Sequence, residues 1–282
     1  AGRQDSLLFL RPDFTIPGDG TGVLVQTTGT GGVFRDFGID CAHMLYSGWG
    51  GTQDLLRFIS WSQFTIDNIA IRFCGEGTST GGALLGLHSA TDGTLNNVWV
   101  KDGPALNSAI SCKFNGVGSV VATGMWCSNS SQSVVVIDSK GYSPTTRPLT
   151  FIGGPADECG GNGSAGCFEL RNSDALVIGG TLWGGNPTSP AVTVDSTSVL
   201  RLQGTDVGSF NNSENAYGIK IDSGGTVIAS MNVIRGNAAF KSVWNLGTFI
   251  DGGGNIYKNC TGSTCTVKTA GQAFLGKQPV RK

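Results

Sequence analysis

Four acidic residues could do chemistry in this chain, namely Glu76, Asp102, Asp157 and Glu158. A glycosidic bond is hydrolysed by two carboxyl groups that flank it, and their separation sets the stereochemical outcome. A repeat that runs along the chain places Asp157 and Glu158 two coils away from Asp102, at an axial offset of ~9.6 Å. This offset approaches the ~6.5–9.5 Å separation of an inverting pair. The alternative is that Asp157 and Glu158 are solvated acids on a surface loop held by a disulfide. Glu76, the further candidate, lies on a Gly-Glu-Gly loop one coil before Asp102.

Charged and aromatic side chains near these acids are candidates for binding a substrate. The residues six places after a repeat start include Asp40, Arg72 and Lys101, and we expect them to form a charged ladder on one face. A salt-bridged surface of small energetic value would give the same spacing. Trp99 falls at an outward place in its strand, whereas Trp126 is predicted to lie in the core. Aromatic side chains can stack against sugar rings, and the candidates are Tyr46, Trp49, Trp99 and Trp183.

These residues are positioned by a six-residue pattern that occurs nine times, about 27 residues apart. In its clearest copies, apolar residues hold the first, fourth and sixth places, and the third place is Asp, Asn or Gly in seven of the nine copies. Those three residue types tolerate the left-handed backbone of a bend between strands, so the third place is the predicted corner. The copies start at Phe34, Ile66, Leu95, Val121, Ile152, Ile178, Leu202, Ile228 and Ile250.

The repeat assigns four other acids to the scaffold. Asp36 occupies a predicted corner. A second family of strands lies upstream of each corner strand and ends in a polar turn, where Asp138, Asp195 and Asp222 stand. Carboxylates in turns commonly accept hydrogen bonds from nearby backbone amides, which explains these positions without a functional role.

Two strand families and a variable segment per coil predict an all-β fold, a right-handed parallel β-helix (solenoid) of about nine coils. We expect entry strands and a first coil in residues 1–32, the β-helix in residues 33–260, and a C-terminal tail or cap in residues 261–282. The chain has no initiator Met and enters a strand almost at once. It is therefore expected to be a piece of a larger polypeptide.

Composition excludes several functional classes. The net charge is −1 with no basic run, which argues against nucleic-acid binding. No apolar stretch reaches the ~18 residues that would predict membrane insertion. The two histidines, His43 and His88, are far apart and no Cys-x-x-Cys occurs, so neither a metal site nor a cofactor is expected.

The eight cysteines leave two interpretations open. Cys159 with Cys167, and Cys260 with Cys265, are spaced for local disulfides, which would suit an extracellular protein. Free thiols buried in the wall, where Cys behaves as a small apolar residue, are the alternative.

The corner pattern on a glycine-rich coil resembles the pectate-lyase-like superfamily of right-handed β-helices. The best copies are Phe34-Arg-Asp-Phe-Gly-Ile39, Ile66-Asp-Asn-Ile-Ala-Ile71 and Leu95-Asn-Asn-Val-Trp-Val100. The opening segments 14–25 and 32–40 look like the first coils of bacteriophage tailspike and depolymerase domains. Polygalacturonase and pectate-lyase motifs are absent from the chain, which disfavours a calcium-dependent lyase.

The resemblance implies a homotrimer on the virion tail surface, extracellular, that binds a bacterial surface polysaccharide. It favours a glycoside hydrolase that degrades this polymer with a pair of carboxylates. A non-enzymatic receptor-binding or structural spike, or an adhesin, is the first alternative. A secreted β-helix hydrolase or lyase of cellular origin is the second. The superfamily includes all of these activities, so the fold alone does not choose among them.

Overall fold

The computed structural model describes residues 7–9, 25–40, 45–46, 54–72, 75–76, 83–101, 110–130, 133–140, 148–159, 166–184, 189–208, 217–236, 242–258 and 268–269. All regular structure in these ranges is β, and the paired strands are parallel. The predicted all-β parallel solenoid is therefore confirmed. The three stacks of strands are called face 1, face 2 and face 3.

Each strand pairs with its counterparts in the coils before and after it. Face 1 consists of β2 (Val25–Thr30), β5 (Leu56–Ser62), β8 (Ala83–His88), β10 (Ile110–Asn115), β13 (Val135–Asp138), β16 (Phe168–Arg171), β19 (Val192–Val194), β22 (Ile219–Ile221), β25 (Val243–Asn245) and β28 (Lys268–Thr269). Face 2 consists of β3 (Val33–Asp40), β6 (Thr65–Arg72), β9 (Thr91–Lys101), β11 (Gly118–Thr123), β14 (Leu149–Ile152), β17 (Asp174–Ile178), β20 (Val199–Gln203), β23 (Thr226–Ser230) and β26 (Thr248–Asp251).

Face 3 comes after face 2, beyond a corner. In the first coils β3, β6 and β9 bend at the corner and continue into face 3, where β1 (Leu7–Phe9) pairs with the end of β3. The later strands are β12 (Trp126–Ser130), β15 (Ala156–Cys159), β18 (Thr181–Gly184), β21 (Asp206–Gly208), β24 (Val233–Arg235) and β27 (Ile256–Lys258). A separate pair, β4 (Leu45–Tyr46) and β7 (Gly75–Glu76), lies outside these stacks.

The interior is filled by apolar side chains stacked at the same position of successive coils. Burial of each such side chain contributes about 1.5–3 kcal/mol. Between faces, Phe151 of face 2 meets Phe114 and Phe168 of face 1 edge to face, with ring centroids 5.8 and 5.9 Å away. One interior stack behind face 2 runs through the buried residues Ile66, Leu95, Ala122, Phe151, Val177 and Leu202.

Every corner residue has a left-handed backbone, with φ between 52° and 94°. In the first eight coils the corner fixes where face 3 begins, because the buried face 3 residue comes three places later, as Val100 does after Asn97 and Val207 after Gly204. The last coil is longer by one residue, since Ile256 is exposed and Tyr257, four places after Gly253, packs against the core. By contrast, the chain between face 3 and the next face 1 strand varies in length from coil to coil. The corner residues are Asp36, Asn68, Asn97, Gly124, Gly153, Gly179, Gly204, Met231 and Gly253.

Five predicted corners were wrong by one residue: Thr123, Gly154, Gly180, Ser230 and Gly252. The cause is that face 2 also carries apolar residues on its outer surface, and these fit the inward positions of the pattern. Ile152, for example, is an inward residue by the pattern, yet it is 44% exposed and its neighbour Phe151 is buried. Apolar periodicity alone therefore could not separate the two sides of this face.

The scaffold role of the turn acids agrees with their hydrogen bonds. Asp138 Oδ1 accepts from the Lys140 backbone N–H at 2.8 Å, and Asp195 Oδ1 accepts from the Thr197 N–H at 3.0 Å. At the corner, Asp36 Oδ1 accepts from the Asn68 amide at 2.7 Å. These carboxylates therefore accept hydrogen bonds that stabilise the turns and the corner.

A disulfide crosses the interior of one coil. It joins Cys112 in face 1 to Cys127 in face 3, with Cα atoms 6.4 Å apart, and both residues are fully buried. The predicted local pairs did not include this bond. Cys167 is also disulfide-bonded, and no cysteine in the described ranges is a free thiol.

Candidate functional site

Among the side chains that the structure describes, the most exposed aromatic ones lie on the outer surface of face 3. In strand β9 the side chains alternate, so Val98 and Val100 are buried while Trp99 and Lys101 are exposed. This alternation follows from the two-residue period of a strand. The same strand therefore supplies both an interior wall and an exposed recognition surface.

Trp99 and Trp126 form a pair on adjacent coils. The register places them opposite each other, and their rings meet edge to face with centroids 5.9 Å apart and planes at 63°. They are 40% and 41% exposed. The prediction that Trp126 lies in the core was wrong, because Cys127 takes the inward position that the misplaced corner had given to Trp126.

Small residues border this tryptophan pair. Ala70 lies opposite Trp99 in the preceding coil. In the following coil Pro155 accepts a hydrogen bond from the Cys127 N–H at 2.8 Å, which places it beside the Trp126 position. Because the neighbouring side chains are smaller than an indole, the two indoles project beyond them and parts of both rings are exposed to solvent.

A charged column runs beside the pair. Asp40, Arg72 and Lys101 occupy equivalent places in three successive coils. Arg72 Nε donates to Asp40 Oδ2 at 2.8 Å, and the Asp40 side chain is only 8% exposed. Lys101 is exposed and forms no ion pair with any residue that the structure describes.

The register also places one candidate acid in this column. Ser128 pairs with Asp157, and Ser128 follows Cys127 just as Lys101 follows Val100. Asp157 therefore holds a position two strands beyond Lys101. The sequence pattern puts Asp157 at the place of the inward Ile71 and Val100, so that either a loop beginning at Pro155 turns this acid outward or the register has slipped. The register has slipped by one residue, because the buried Ala156 pairs with Cys127 and fills the inward place.

The remaining sequence candidates are placed only in part. The backbone of Tyr46 pairs with that of Glu76 in the small β4–β7 sheet. Glu158 follows Asp157 in β15. Trp183 is half-buried, follows the inward Leu182 in the coil after that of Asp157, and lies opposite Gly208. Asp102, Trp49 and the side chains of Tyr46, Glu76, Asp157 and Glu158 lie outside the described part of the structure.

Sequence reasoning missed a buried polar network on face 1. Asp54, 1% exposed, contacts His88 Nε2 through Oδ2 and accepts the Ala83 N–H at 2.9 Å through Oδ1. The Asn115 side-chain amide lies 3.2 Å from His88 Nδ1. Both imidazole nitrogens are thus occupied, and the network ties coils together. Its members come from different coils, so no sequence spacing could reveal it.

A second buried acid on face 1 also serves the scaffold. Glu169, 3% exposed, accepts hydrogen bonds from the Ser133 hydroxyl and the Arg171 guanidinium. Both carboxylate oxygens of Glu169 are therefore engaged. Within the described ranges no group of three or more His, Cys, Asp or Glu side chains could hold a metal ion. Nor is any helix there long and apolar enough to cross a membrane.

The fold defines this chain as a parallel β-helix protein, consistent with the superfamily that the corner pattern resembles. No protein-family profile, curated protein or solved structure matches the chain. The candidate functional site is the surface of face 3, where two exposed indoles and a cation lie along the helix axis.

Proposed function

We propose that this β-helix binds a bacterial surface polysaccharide along face 3 and hydrolyses it with a pair of carboxylates. The observation that carries the proposal is the Trp99–Trp126 pair. Indole faces bury the apolar faces of sugar rings, and large apolar side chains grouped on an outer surface mark an interaction site. An axial row of aromatic and charged groups suits an extended polymer.

The catalytic part of the proposal rests on acids near this surface. Asp157 holds a place in the charged column, Glu158 follows it, and Asp102 follows Lys101. Strands β9 and β15 are separated by β12 alone in face 3. Two coils correspond to ~9.6 Å along the axis, close to the separation in an inverting glycosidase. Glu76, opposite Tyr46, is the further candidate acid.

The proposed setting is the exterior of a virion, with the chain assembled as a homotrimer. The apolar outer surface of face 2 supports self-association, since Val121, Ile152 and Met231 are 38%, 44% and 61% exposed. Copies of the β-helix can bury such a surface against one another.

The test is reducing-end release from capsular polysaccharide or lipopolysaccharide, measured with the wild type and with Glu158→Gln, Asp157→Asn, Asp102→Asn and Glu76→Gln. We expect at least one variant to lose more than about a hundredfold in rate while still binding the polymer. Full activity in all four variants would refute the assignment of these acids.

A non-enzymatic receptor-binding spike is the second candidate. It is favoured by the engagement of the described buried acids, since Asp40, Asp54 and Glu169 are each paired within the scaffold. Binding of a polysaccharide with no change in its chain length would support this alternative over hydrolysis.

A further inference from the structure

The described charges beside the tryptophan pair are a paired arginine and an exposed lysine. Arg72 is neutralised by Asp40 at 2.8 Å, whereas Lys101 has no ion pair among the described side chains. The other neighbours of the pair at these positions, Ala70, Ser128 and Pro155, carry no charge. Among the described side chains beside the two exposed indoles, Lys101 is therefore the one charge without an opposite partner, and the Asp157 side chain, two strands along the same column, lies outside the described part.

Lys101 is also at a suitable distance from the aromatic surface. Lys101 and Trp99 lie on the same side of β9, two residues and therefore about 6.6 Å apart along the strand. A sugar ring stacked on Trp99 would place its substituents within reach of the Lys101 side chain. The lysine ammonium offers three donors on a flexible stem, which suits a carboxylate carried by a sugar.

We propose that the polysaccharide bound on face 3 is anionic, with Lys101 pairing with a sugar carboxylate while Trp99 and Trp126 contact the rings beside it. This inference rests on the proposed function and adds the chemical class of the polymer. A neutral polysaccharide offers the Lys101 ammonium hydroxyl acceptors but no opposite charge, so its interaction with this residue is weaker.

The test compares each uronate-containing bacterial polysaccharide with its carboxyl-reduced form, in which the acid has become a primary alcohol. Xanthan, gellan and colanic acid serve as probes, and affinity for the 282-residue chain is measured by biolayer interferometry. We expect the wild type to bind at least one native polymer about tenfold more tightly than its reduced form. This preference should weaken as salt is raised, because exposed charges are screened.

Variants at Lys101 assign the effect to this residue. Lys101→Met should lose the preference for the native polymer and keep the affinity for the reduced one, while Lys101→Arg should restore most of it. Lys258→Met is the matched control, since Lys258 is also exposed and lies opposite Arg235 on face 3, in a distant coil.

The two proposals fail in different ways. Equal affinity of the wild type for native and reduced polymers, or equal weakening of both by Lys101→Met, overturns the anionic class and leaves polysaccharide binding intact. If the wild type binds neither form of any probe, nor any neutral polysaccharide, the proposed function itself is wrong.

Discussion

Cys127 lies next to Trp126 in strand β12, and its sulfur is bonded to Cys112 in face 1 of the same coil. The strand that carries half of the tryptophan pair is thus attached covalently to the opposite part of the wall. An exposed recognition residue and a buried cross-link are neighbours in the chain, so the geometry of the pair depends on the interior.

Removal of this disulfide should destabilise the protein. For the Cys112→Ala/Cys127→Ala double variant we expect the free energy of unfolding to fall by about 3 kcal/mol, because the bond closes a loop in the unfolded chain. Urea denaturation followed by tryptophan fluorescence measures this. Reductant is a poor substitute, since Cys167 is also disulfide-bonded. An unchanged midpoint would show that coil stacking alone holds β12 in place.

Loss of either indole should weaken binding with little effect on folding. Trp99→Ala and Trp126→Ala are each expected to lower affinity for the polysaccharide about tenfold, since a stacking surface is removed. Ile256→Ala is the matched control, because Ile256 is an exposed apolar residue of face 3, 52% accessible, in a distant coil. Equal losses in all three variants would contradict a specific role for the pair.

The Asp40–Arg72 ion pair should contribute to stability. Asp40→Asn leaves the guanidinium without its buried partner, and we expect a loss of about 1–2 kcal/mol, reduced from a fully buried pair because Arg72 is 40% exposed. Urea midpoints of Asp40→Asn, Arg72→Met and the double variant form a thermodynamic cycle. Strictly additive losses would mean that the two side chains do not stabilise each other.

The corner at Met231 should be improved by glycine. Met231 is 61% exposed and has φ 56°, a conformation that costs an ordinary residue about 1 kcal/mol. Met231→Gly is therefore expected to raise the thermal midpoint. The reverse change, Gly204→Ala, should lower it through backbone strain alone, because an added Cβ there meets no atom within 4 Å. Opposite signs would overturn the assignment of these corners.

The apolar surface of face 2 should mediate self-association. Ile152→Glu places a charge on that surface, and we expect a sedimentation coefficient of a monomer where the wild type sediments as a trimer. Ile256→Glu, an exposed change on face 3, should leave the assembly intact. A monomeric wild type, or a trimeric Ile152→Glu variant, would argue against this interface.

The fold was predictable from the sequence, whereas the register of five of its later coils was not. The copies at Phe34, Ile66, Leu95 and Leu202 were aligned correctly. Elsewhere, large apolar residues outside face 2, such as Ile152, competed with smaller inward ones. Hydrogen bonding to neighbouring coils decides between these alignments, and that pairing is not encoded in any single six-residue window.

The parts of the candidate site that were predictable are those on correctly aligned copies of the pattern. The column of Asp40, Arg72 and Lys101 follows from three well-aligned early copies. The outward position of Trp126 and the disulfide between Cys112 and Cys127 depend on the fourth copy, where the corner is Gly124. A left-handed corner favours glycine over Thr123, and this preference would have corrected the alignment.

The spacing from the corner to the buried residue of face 3, constant in the first eight coils, has a consequence for how such a protein can change. The stacked strands tolerate little variation in length, but the segment that leads from face 3 to the next face 1 strand is short between Cys127 and Ile137 and long between Ile39 and Phe58. Insertions can accumulate there one coil at a time. New loops, whether evolved or engineered, could thus alter what the β-helix recognises while the stacked strands stay unchanged.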